Sequence, residues 1–321
     1  HLGMNPTGSF KDLGMTVAVS AAKAAGMRGV VCASTGNTAS SMAAYAARCG
    51  LAAYALIPRG RVSAAKLAQI YDYGATVVEV DGSFDDAFAR LSGTNDGELA
   101  IVNSINPHRI EGQKCAALLM LEARGWRVPD WVVMPGGNLG NASAIGKGFR
   151  EAHELGLIDR LPRLAVVQAA GAAPFARAWE SGSELIPVIA QTSASAIAVG
   201  SPKSWRKALH ELHLSNGVAL AVDDDAIDDA KAEIGAEGIG CEPASAAALA
   251  GARSLRRSNV IAAGADVVTV LTGHVLKDVD ASLRIAQSRH PERRREAPES
   301  CHPERRREAP ESKDGCQARA V

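Results

Sequence analysis

Short runs of apolar residues alternate with longer, alanine-rich segments of helical character from residue 12 to about residue 285. The apolar runs are four to eight residues long and unbroken by polar residues, which is typical of strands covered on both faces of a parallel sheet. The predicted strands are Gly29–Ala33, Ala52–Ile57, Ala75–Val80, Leu99–Val102, Trp131–Met134, Leu164–Gln168 and Asp266–Leu271. The predicted helices are Met15–Ala25, Met42–Arg48, Ala64–Tyr73, Phe84–Leu91, Gly112–Arg124, Ala142–Leu155, Asp224–Ala236 and Ala244–Arg256. Because parallel strands need right-handed crossovers and helices supply them, the pattern predicts an α/β fold.

The composition is that of a globular protein with no strong charge bias. The 321 residues include 35 Lys+Arg and 35 Asp+Glu, and 47% are hydrophobic, which argues against a general nucleic-acid binder. No apolar run approaches the roughly 18 residues that span a bilayer, and no signal peptide is visible, so we expect a cytoplasmic protein without a membrane partner. Six cysteines without C-x-x-C spacing predict reduced thiols and no metal site.

The end of the sequence has a different character. The eleven residues HPERRREAPES occur twice, at residues 290–300 and 302–312. This repeat is charged, contains proline and is almost free of apolar residues, so it cannot bury enough surface to offset the entropy of ordering. We therefore predict a disordered tail over residues 289–321.

The first segment with a candidate reactive residue is a turn rich in small and polar residues, Asn-Pro-Thr-Gly-Ser at residues 5–9, which precedes Phe10 and Lys11. Ser9 is a candidate cap for the next helix, which would place Lys11 in the first turn. The positive end of the helix dipole disfavours a further cation, and this biases the amine toward the neutral form that attacks carbonyl groups. A solvated surface lysine is the alternative, and from this segment alone it is the more frequent case.

Two further polar turns follow predicted strands and open predicted helices. Residues 34–38, Ser-Thr-Gly-Asn-Thr, lie at the carboxyl end of a predicted strand, where parallel sheets bind polar ligands through hydroxyl and amide groups. An ordinary capped turn fits these residues equally well. Residues 136–141, Gly-Gly-Asn-Leu-Gly-Asn, expose backbone N–H groups at a helix start and favour a phosphate. Glycine loops also serve as tight turns.

Two common phosphate-binding motifs are absent from the sequence, and their absence argues against dinucleotides and nucleoside triphosphates as ligands. The spacing G-x-G-x-x-G is absent, and the strand ending at Gln168 is followed by two alanines where a nicotinamide enzyme has an acid. The P-loop pattern fails because Gly140 stands one residue too far from Gly146 and Lys147, and Gly148 replaces the hydroxyl. A compact phosphate-bearing cofactor with a Schiff-base lysine indicates pyridoxal 5'-phosphate.

Together, these motifs closely resemble those of the threonine synthases, a family of the tryptophan-synthase-β-like (fold type II) pyridoxal-phosphate enzymes. The resemblance covers roughly residues 1 to 285 and includes two more segments, Cys-Glu-Pro-Ala-Ser at residues 241–245 and Leu-Thr-Gly-His at residues 271–274. It implies two interleaved three-layer α/β domains with mostly parallel sheets. The larger, cofactor-binding domain is expected at residues 1–11 and 105–288, without the family's further N-terminal elements, and the smaller at residues 12–104.

The resemblance also implies roles for individual residues. Lys11 would carry the cofactor as a Schiff base, Asn37 would bond its phenolic oxygen, and Thr272 would place a hydroxyl against the pyridine nitrogen. The residues expected to hold the cofactor phosphate are Gly136, Gly137, Asn138, Leu139, Gly140 and Asn141. Those expected to hold a substrate phosphate are Thr38, Asn103, Ser104 and Arg109, whose guanidinium offers a planar fork. His108 and His274 are predicted to be structural, and Leu13 stands where the family commonly has arginine.

The implied reaction converts O-phospho-L-homoserine and water to L-threonine and phosphate, with the Lys11 amine as general base. A related threonine or serine dehydratase, a synthase for another phosphorylated amino acid, and an inactive truncated fragment stay open as alternatives. The expected partners are a small-molecule substrate and a second copy of the chain in a homodimer.

Overall fold

The computed structural model of the chain describes residues 1–34, 36–59, 64–81, 90–91 and 97–289. Within them, the strands form two parallel four-stranded sheets, the small sheet in the order β3-β2-β1-β4 and the large sheet in the order β7-β6-β5-β8. The strands of the small sheet are β1 Gly29–Ala33, β2 Ala52–Pro58, β3 Thr76–Val80 and β4 Leu99–Ile101. Those of the large sheet are β5 Trp131–Pro135, β6 Arg163–Ala169, β7 Val218–Val222 and β8 Val267–Thr269.

Helices connect the strands and cover the sheets. They are α1 Lys11–Ala24, α2 Asn37–Cys49, α3 Ala64–Asp72, α4 Pro107–Gln113, α5 Cys115–Ala123, α6 Gly140–Glu154, α7 Pro174–Ser181, α8 Trp205–Leu214, α9 Asp224–Ala236, α10 Pro243–Arg257 and α11 Val279–Arg289. Among the described residues, no helix is long and apolar enough to cross a membrane.

Each predicted strand is present, and the fold class is confirmed. The predicted helix Gly112–Arg124 is wrong in its bounds, because the structure has two helices that meet at Lys114, the first of which begins at Pro107 with a cap from Asn106. The predicted helix Phe84–Leu91 lies mostly outside the described residues. The predictions omitted β7, α7, α8 and α11.

The hydrophobic core is divided by the sheets. Apolar clusters cover both faces of the large sheet, one centred on Val133 and Val167 and the other on Val132 and Val166. The small sheet has one large cluster between its strands and the helices α1, α2 and α3. The described residues of its other face add only a four-residue cluster, which consists of Val31, Ala33, Val80 and Leu91.

The strands of the small sheet lie within residues 29–101 and those of the large sheet within residues 131–269. The predicted domain bounds at residues 11/12 and 104/105 stay a prediction. Apart from Arg289, the predicted tail lies outside the described residues.

Candidate active site

A pocket of about 370 Å³ opens where both sheets end. Its wall includes residues that end or directly follow β1, β4 and β5, among them Ser34, Asn103 and Pro135, and it includes Thr272 from the segment after β8. In each sheet, the first three strands in the chain lie side by side in chain order, and the last strand lies on the other side of the first strand. The strand order therefore reverses between β1 and β4 in the small sheet and between β5 and β8 in the large sheet. Ligands of open α/β sheets bind at such switch points, outside the carboxyl ends of the strands.

The structure brings the sequence-predicted site residues together in this pocket. Those that line it are Lys11, Asn37, Thr38, Asn103, Ser104, Arg109, Gly137, Asn138, Leu139, Gly140, Asn141 and Thr272. Gly136 lies behind the wall, where its N–H donates to the Val167 carbonyl at 2.7 Å and a Cβ would lie 2.6 Å from Val166 Cγ1. His108 and His274 do not belong to the lining, and His274 accepts a hydrogen bond from the Leu276 N–H at 3.2 Å.

Lys11 is the first residue of α1, at the end of the helix where the dipole disfavours a further cation. Its backbone N–H donates to Ser9 Oγ at 3.3 Å, and its Nζ lies 3.7 Å from the centroid of the Phe10 ring. Burial holds the pKa of the Lys11 amine well below its usual value, and the Arg109 charge lowers this pKa further, whereas Glu242 opposes the shift. The pocket therefore favours a neutral, nucleophilic amine at this position.

Lys11 and Arg109 lie on two helices, α1 and α4, that approach at a pair of glycines. A Cβ added to Gly112 would lie 2.1 Å from the Leu13 carbonyl oxygen, and one added to Gly14 would lie 2.7 Å from Gln113 Nε2. Gly112 therefore requires glycine, because the helix backbones are almost in contact there. This contact sets the spacing of the two helices that carry Lys11 and Arg109.

Arg109 is a buried cation with few partners. Its side chain is 2% exposed, its Nη1 donates to the Val102 carbonyl at 3.2 Å, and its Nε has no partner among the described residues. Burial lowers the pKa of the guanidinium to about 10, so the group stays protonated at neutral pH. Among the described residues its side-chain hydrogen bond goes to a neutral carbonyl, so an anion bound in the pocket would stabilise this buried charge.

The loop after β5 has the form of an anion cradle. Leu139 adopts the left-handed conformation (φ 64°) directly before α6, and a Cβ on Gly137 would lie 3.2 Å from the Ala196 carbonyl oxygen. Asn138 fixes the loop on two sides, since its Nδ2 donates to Ser104 Oγ at 2.7 Å and its Oδ1 accepts from the Lys203 N–H at 2.6 Å. Asn141 Nδ2 donates to the Pro135 carbonyl at 2.8 Å and so joins the first turn of α6 to the end of β5. The first backbone N–H groups of a helix have no partner within the helix and are available to an anion.

Two of the predicted polar side chains bind other parts of the protein. The Asn103 amide donates to the Ala33 carbonyl at 2.9 Å and accepts from the Ala33 N–H at 3.0 Å, so it joins the ends of β1 and β4. At the opposite side of the pocket, the Thr272 hydroxyl lies 3.1 Å from Ser245 Oγ. Ser245 Oγ in turn accepts from the backbone N–H groups of Thr272 and Gly273, at 2.9 Å each, which joins this segment to α10.

Sequence reasoning assigned no role to Glu242 or Lys277, and both line the pocket. The Glu242 carboxylate is 3% exposed and accepts from Asn37 Nδ2 at 3.1 and 3.3 Å. Burial raises its pKa, although Asn37, Lys11 and Lys277 oppose the shift. A carboxylate directly before Pro243, inside a segment that the family resemblance includes, is the signal that could have identified Glu242. The wall at residues 195–199 carries no comparable signal because it has no periodic pattern.

This set of residues fits pyridoxal 5'-phosphate. Lys11 supplies an amine with a lowered pKa, residues 137–140 supply a helix N-terminus for a phosphate, and Thr272 supplies a buried hydroxyl across the pocket. Arg109, which also lines the pocket, supplies a cation for a further anionic group.

Known proteins agree with this assignment. The family model described as "Pyridoxal-phosphate dependent enzyme" matches residues 2–273. The chain is 46% identical to threonine synthase from Synechocystis sp. over 284 residues, which are 88% of this chain and 72% of that protein. It is 45% identical to threonine synthase from Methanocaldococcus jannaschii (89% and 71%) and 46% identical to that from Mycobacterium tuberculosis (90% and 79%).

Solved structures of lower sequence identity share the fold. A fungal L-serine ammonia-lyase from Rhizomucor miehei has a TM-score of 0.77 at 17% identity and covers 89% of this chain and 90% of its own. Threonine deaminase isoform 2 from Solanum lycopersicum has a TM-score of 0.73 at 22% identity, with coverage of 87% and 79%. At these identities the likeness concerns the fold alone.

Proposed function

The chain belongs to the pyridoxal-phosphate dependent enzymes and, within them, to the threonine synthases, and we propose that it converts O-phospho-L-homoserine and water to L-threonine and phosphate. The observation that carries this proposal is the presence of a nucleophilic amine and a buried cation in one pocket. Lys11 has an amine of lowered pKa, and Arg109 is a buried guanidinium that no described carboxylate neutralises. A phosphorylated amino acid offers one group to each.

The cofactor end of the pocket is formed by four elements. Lys11 would bind the aldehyde carbon, the N–H groups of residues 137–140 would bind the phosphate, and Asn37 and Thr272 would bind polar atoms of the ring. When bound, pyridoxal 5'-phosphate supplies an electron sink for negative charge that develops beside the amino group of the substrate. Thr272 presents a neutral hydroxyl, whose position Ser245 fixes.

Lys11 is the group that would move protons. Its Nζ lies against Phe10, and the apolar residues Ile110 and Leu139 line the same pocket, which limits access of water to the amine. An amine whose pKa lies well below its usual value can accept a proton at Nζ near neutral pH and then return it. One lysine can therefore serve successive proton transfers on adjacent carbons.

The substrate phosphate would bind at Arg109. Thr38, at the start of α2, and Ser104, which already accepts a hydrogen bond from Asn138, line the pocket on the same side as the small sheet. Asn103 would act through β1 and β4, since both polar atoms of its amide contact Ala33. A planar, fully charged guanidinium binds a phosphate through two parallel hydrogen bonds.

A threonine or serine dehydratase is the alternative within the same fold, and the solved structures of the deaminase and the ammonia-lyase share the architecture. Hydroxyamino acids carry no second anion, so they would leave the buried Arg109 charge without a counter-ion. The Arg109 environment therefore favours the synthase. The cytoplasmic location and the homodimer stay predictions.

The test is an assay of the purified chain supplied with pyridoxal 5'-phosphate. Phosphate release from O-phospho-L-homoserine, with L-threonine formed in equal amount, is the expected result, and Lys11→Ala should abolish both. Ammonia and keto acid from threonine or serine, with no phosphate from phosphohomoserine, would instead identify a dehydratase. No reaction with any of the three substrates would identify an inactive chain.

A further inference from the structure

The pocket contains a second lysine, Lys277, that the proposed reaction does not use. It lies in a short 3-10 helix, Val275–Lys277, that follows the segment after β8. Its aliphatic stem packs over Gly8, where a Cβ would lie 3.1 Å from Lys277 Cδ and the backbone has a φ of 83°. Gly8 belongs to the turn that leads into Lys11, so the stem of one lysine supports the turn that carries the other.

The ammonium group of Lys277 reaches the helices of the small sheet. Nζ donates to Ser40 Oγ on α2 at 3.2 Å and to Gln69 Oε1 on α3. Ser40 is 1% exposed, so this contact is made inside the protein. The carboxylates of Glu242 and Asp12 both favour the charged form of the Lys277 amine, against the effect of its burial. Lys277 thus links its own 3-10 helix to α2 and α3.

The residues that Lys277 contacts lie next to predicted ligand-binding residues. Ser40 is one helical turn after Asn37 and two residues after Thr38, both of which line the pocket. The neighbouring Ser41 donates to Asp12 Oδ1 at 2.6 Å, which joins α2 to α1. Two adjacent serines therefore hold the first turn of α2, one through Lys277 and the other through Asp12.

We propose that Lys277 is a positioning residue for the phosphorylated substrate: its ammonium group holds the first turn of α2, and thereby Thr38 and Asn37, against the pocket. This inference rests on the proposed function, because the anion that Thr38 and Arg109 would share is the substrate phosphate. It assigns to the charge of Lys277 an effect on substrate binding that is separate from proton transfer at Lys11.

The variant that tests the proposal is Lys277→Met, which keeps the stem over Gly8 and removes the ammonium group. The KM for O-phospho-L-homoserine should rise about 10-fold, as expected for the loss of a charge-assisted hydrogen bond, while kcat changes less than about 3-fold. Lys277→Arg, which retains a cation and donors, should recover part of the change. Lys207→Met, on the exposed surface of α8, is the matched control and should leave both constants unchanged.

A second variant removes the same contacts from the other side. The double variant S40A/Q69L leaves Lys277 intact and should reproduce the rise in KM. It tests the proposal even if Lys277→Met fails to fold. Hydrogen exchange of the cofactor-free protein supplies a readout independent of activity: the amides of residues 37–41 should exchange faster in either variant, while those of α6 keep the wild-type rate.

The possible outcomes separate this inference from the proposed function. If the wild-type chain releases no phosphate from phosphohomoserine, the proposed function fails. If the wild-type chain is active, two results would refute the positioning role of Lys277. One is a KM within 2-fold of wild type in both Lys277→Met and S40A/Q69L. The other is a decrease in kcat alone, with unchanged hydrogen exchange of residues 37–41.

Discussion

The two sheets have the same strand order but differ in how they are covered. The central strands β1 and β5 are buried throughout, and the edge strands β3 and β7 each have one buried residue. The difference lies in the strands between them, because β6 is buried from Leu164 to Ala169, whereas Ala53, Ala55 and Ile57 are the buried residues among those described in β2. Large apolar clusters flank both faces of the large sheet, while the described residues of the small sheet provide one large cluster and the four-residue cluster of Val31, Ala33, Val80 and Leu91. The same strand order is therefore combined with different burial of the corresponding strands β2 and β6.

This difference corresponds to a division of the site. The large sheet supplies the loop of residues 137–140 and Thr272, which backbone and side-chain hydrogen bonds hold in place. The small sheet supplies Asn37 and Thr38, and their helix is held by side chains from outside the sheet, Asp12 and Lys277. We infer that the groups for the cofactor phosphate and Thr272 lie on the large sheet, whereas Asn37 and the substrate-binding Thr38 share the first turn of a helix of the small sheet.

The largest expected effect concerns the buried cation of the pocket. Arg109→Met should reduce kcat/KM for O-phospho-L-homoserine by about 1000-fold, or about 4 kcal/mol, because truncating one partner of a buried ionic contact costs about 2–5 kcal/mol. Arg206→Met removes an arginine whose side chain is 74% exposed and contacts Glu184 and the Trp205 ring at the surface, and it should leave the rate unchanged. A loss of less than 3-fold for Arg109→Met would show that no anion binds there.

The contact between α1 and α4 gives the next largest effect, on stability. Gly112→Ala would place a Cβ 2.1 Å from the Leu13 backbone, so the helices must separate, at a cost of about 3 kcal/mol in the free energy of unfolding. Gly235→Ala, in α9 with no atom within 4 Å of the added Cβ, should instead stabilise the protein by about 0.5–1 kcal/mol. Urea denaturation measures both, and equal effects at the two glycines would contradict the close approach.

A matched pair of valines compares the two sheets directly. Val133 in β5 and Val31 in β1 are both buried, and both lie in central strands that are buried throughout. Val133→Ala and Val31→Ala should therefore each destabilise the protein by about 2 kcal/mol. A cost below about 1 kcal/mol for either variant would show that its sheet relaxes around the cavity.

The smallest effect is expected at Lys11 in the cofactor-free protein. Burial lowers the pKa of its amine from the usual 10.5, so the folded state loses stability as pH falls from 10.5 through the lowered value. Lys11→Met removes this penalty and should raise the Tm at neutral pH by a few degrees, about 1 kcal/mol. The gain should shrink as pH rises toward 10.5. A Tm difference independent of pH between Lys11→Met and wild type would contradict the shift.

Much of the site was predictable because its signals are local. The turn before Lys11, the glycine loop at residues 136–141 and the unbroken apolar strands each occupy one short segment. The structure has the predicted strands, and it places Lys11 and residues 137–141, but not Gly136, in the lining of the pocket. The burial of Arg109 depends on how α4 packs against α1, and a sequence pattern does not carry that information. Glu242 and Lys277 meet Asn37 and Ser40 across more than 200 residues of chain, so only the folded structure identifies these contacts.

The most direct test of the account asks which of the two pocket lysines carries the cofactor. The chain loaded with pyridoxal 5'-phosphate is reduced with borohydride and digested, and the modified peptide is located by mass spectrometry. We predict a phosphopyridoxyl group on the peptide that contains Lys11, and an unmodified peptide for Lys277. A label on Lys277, or on neither lysine, would contradict the central claim that Lys11 is the catalytic amine of this pocket.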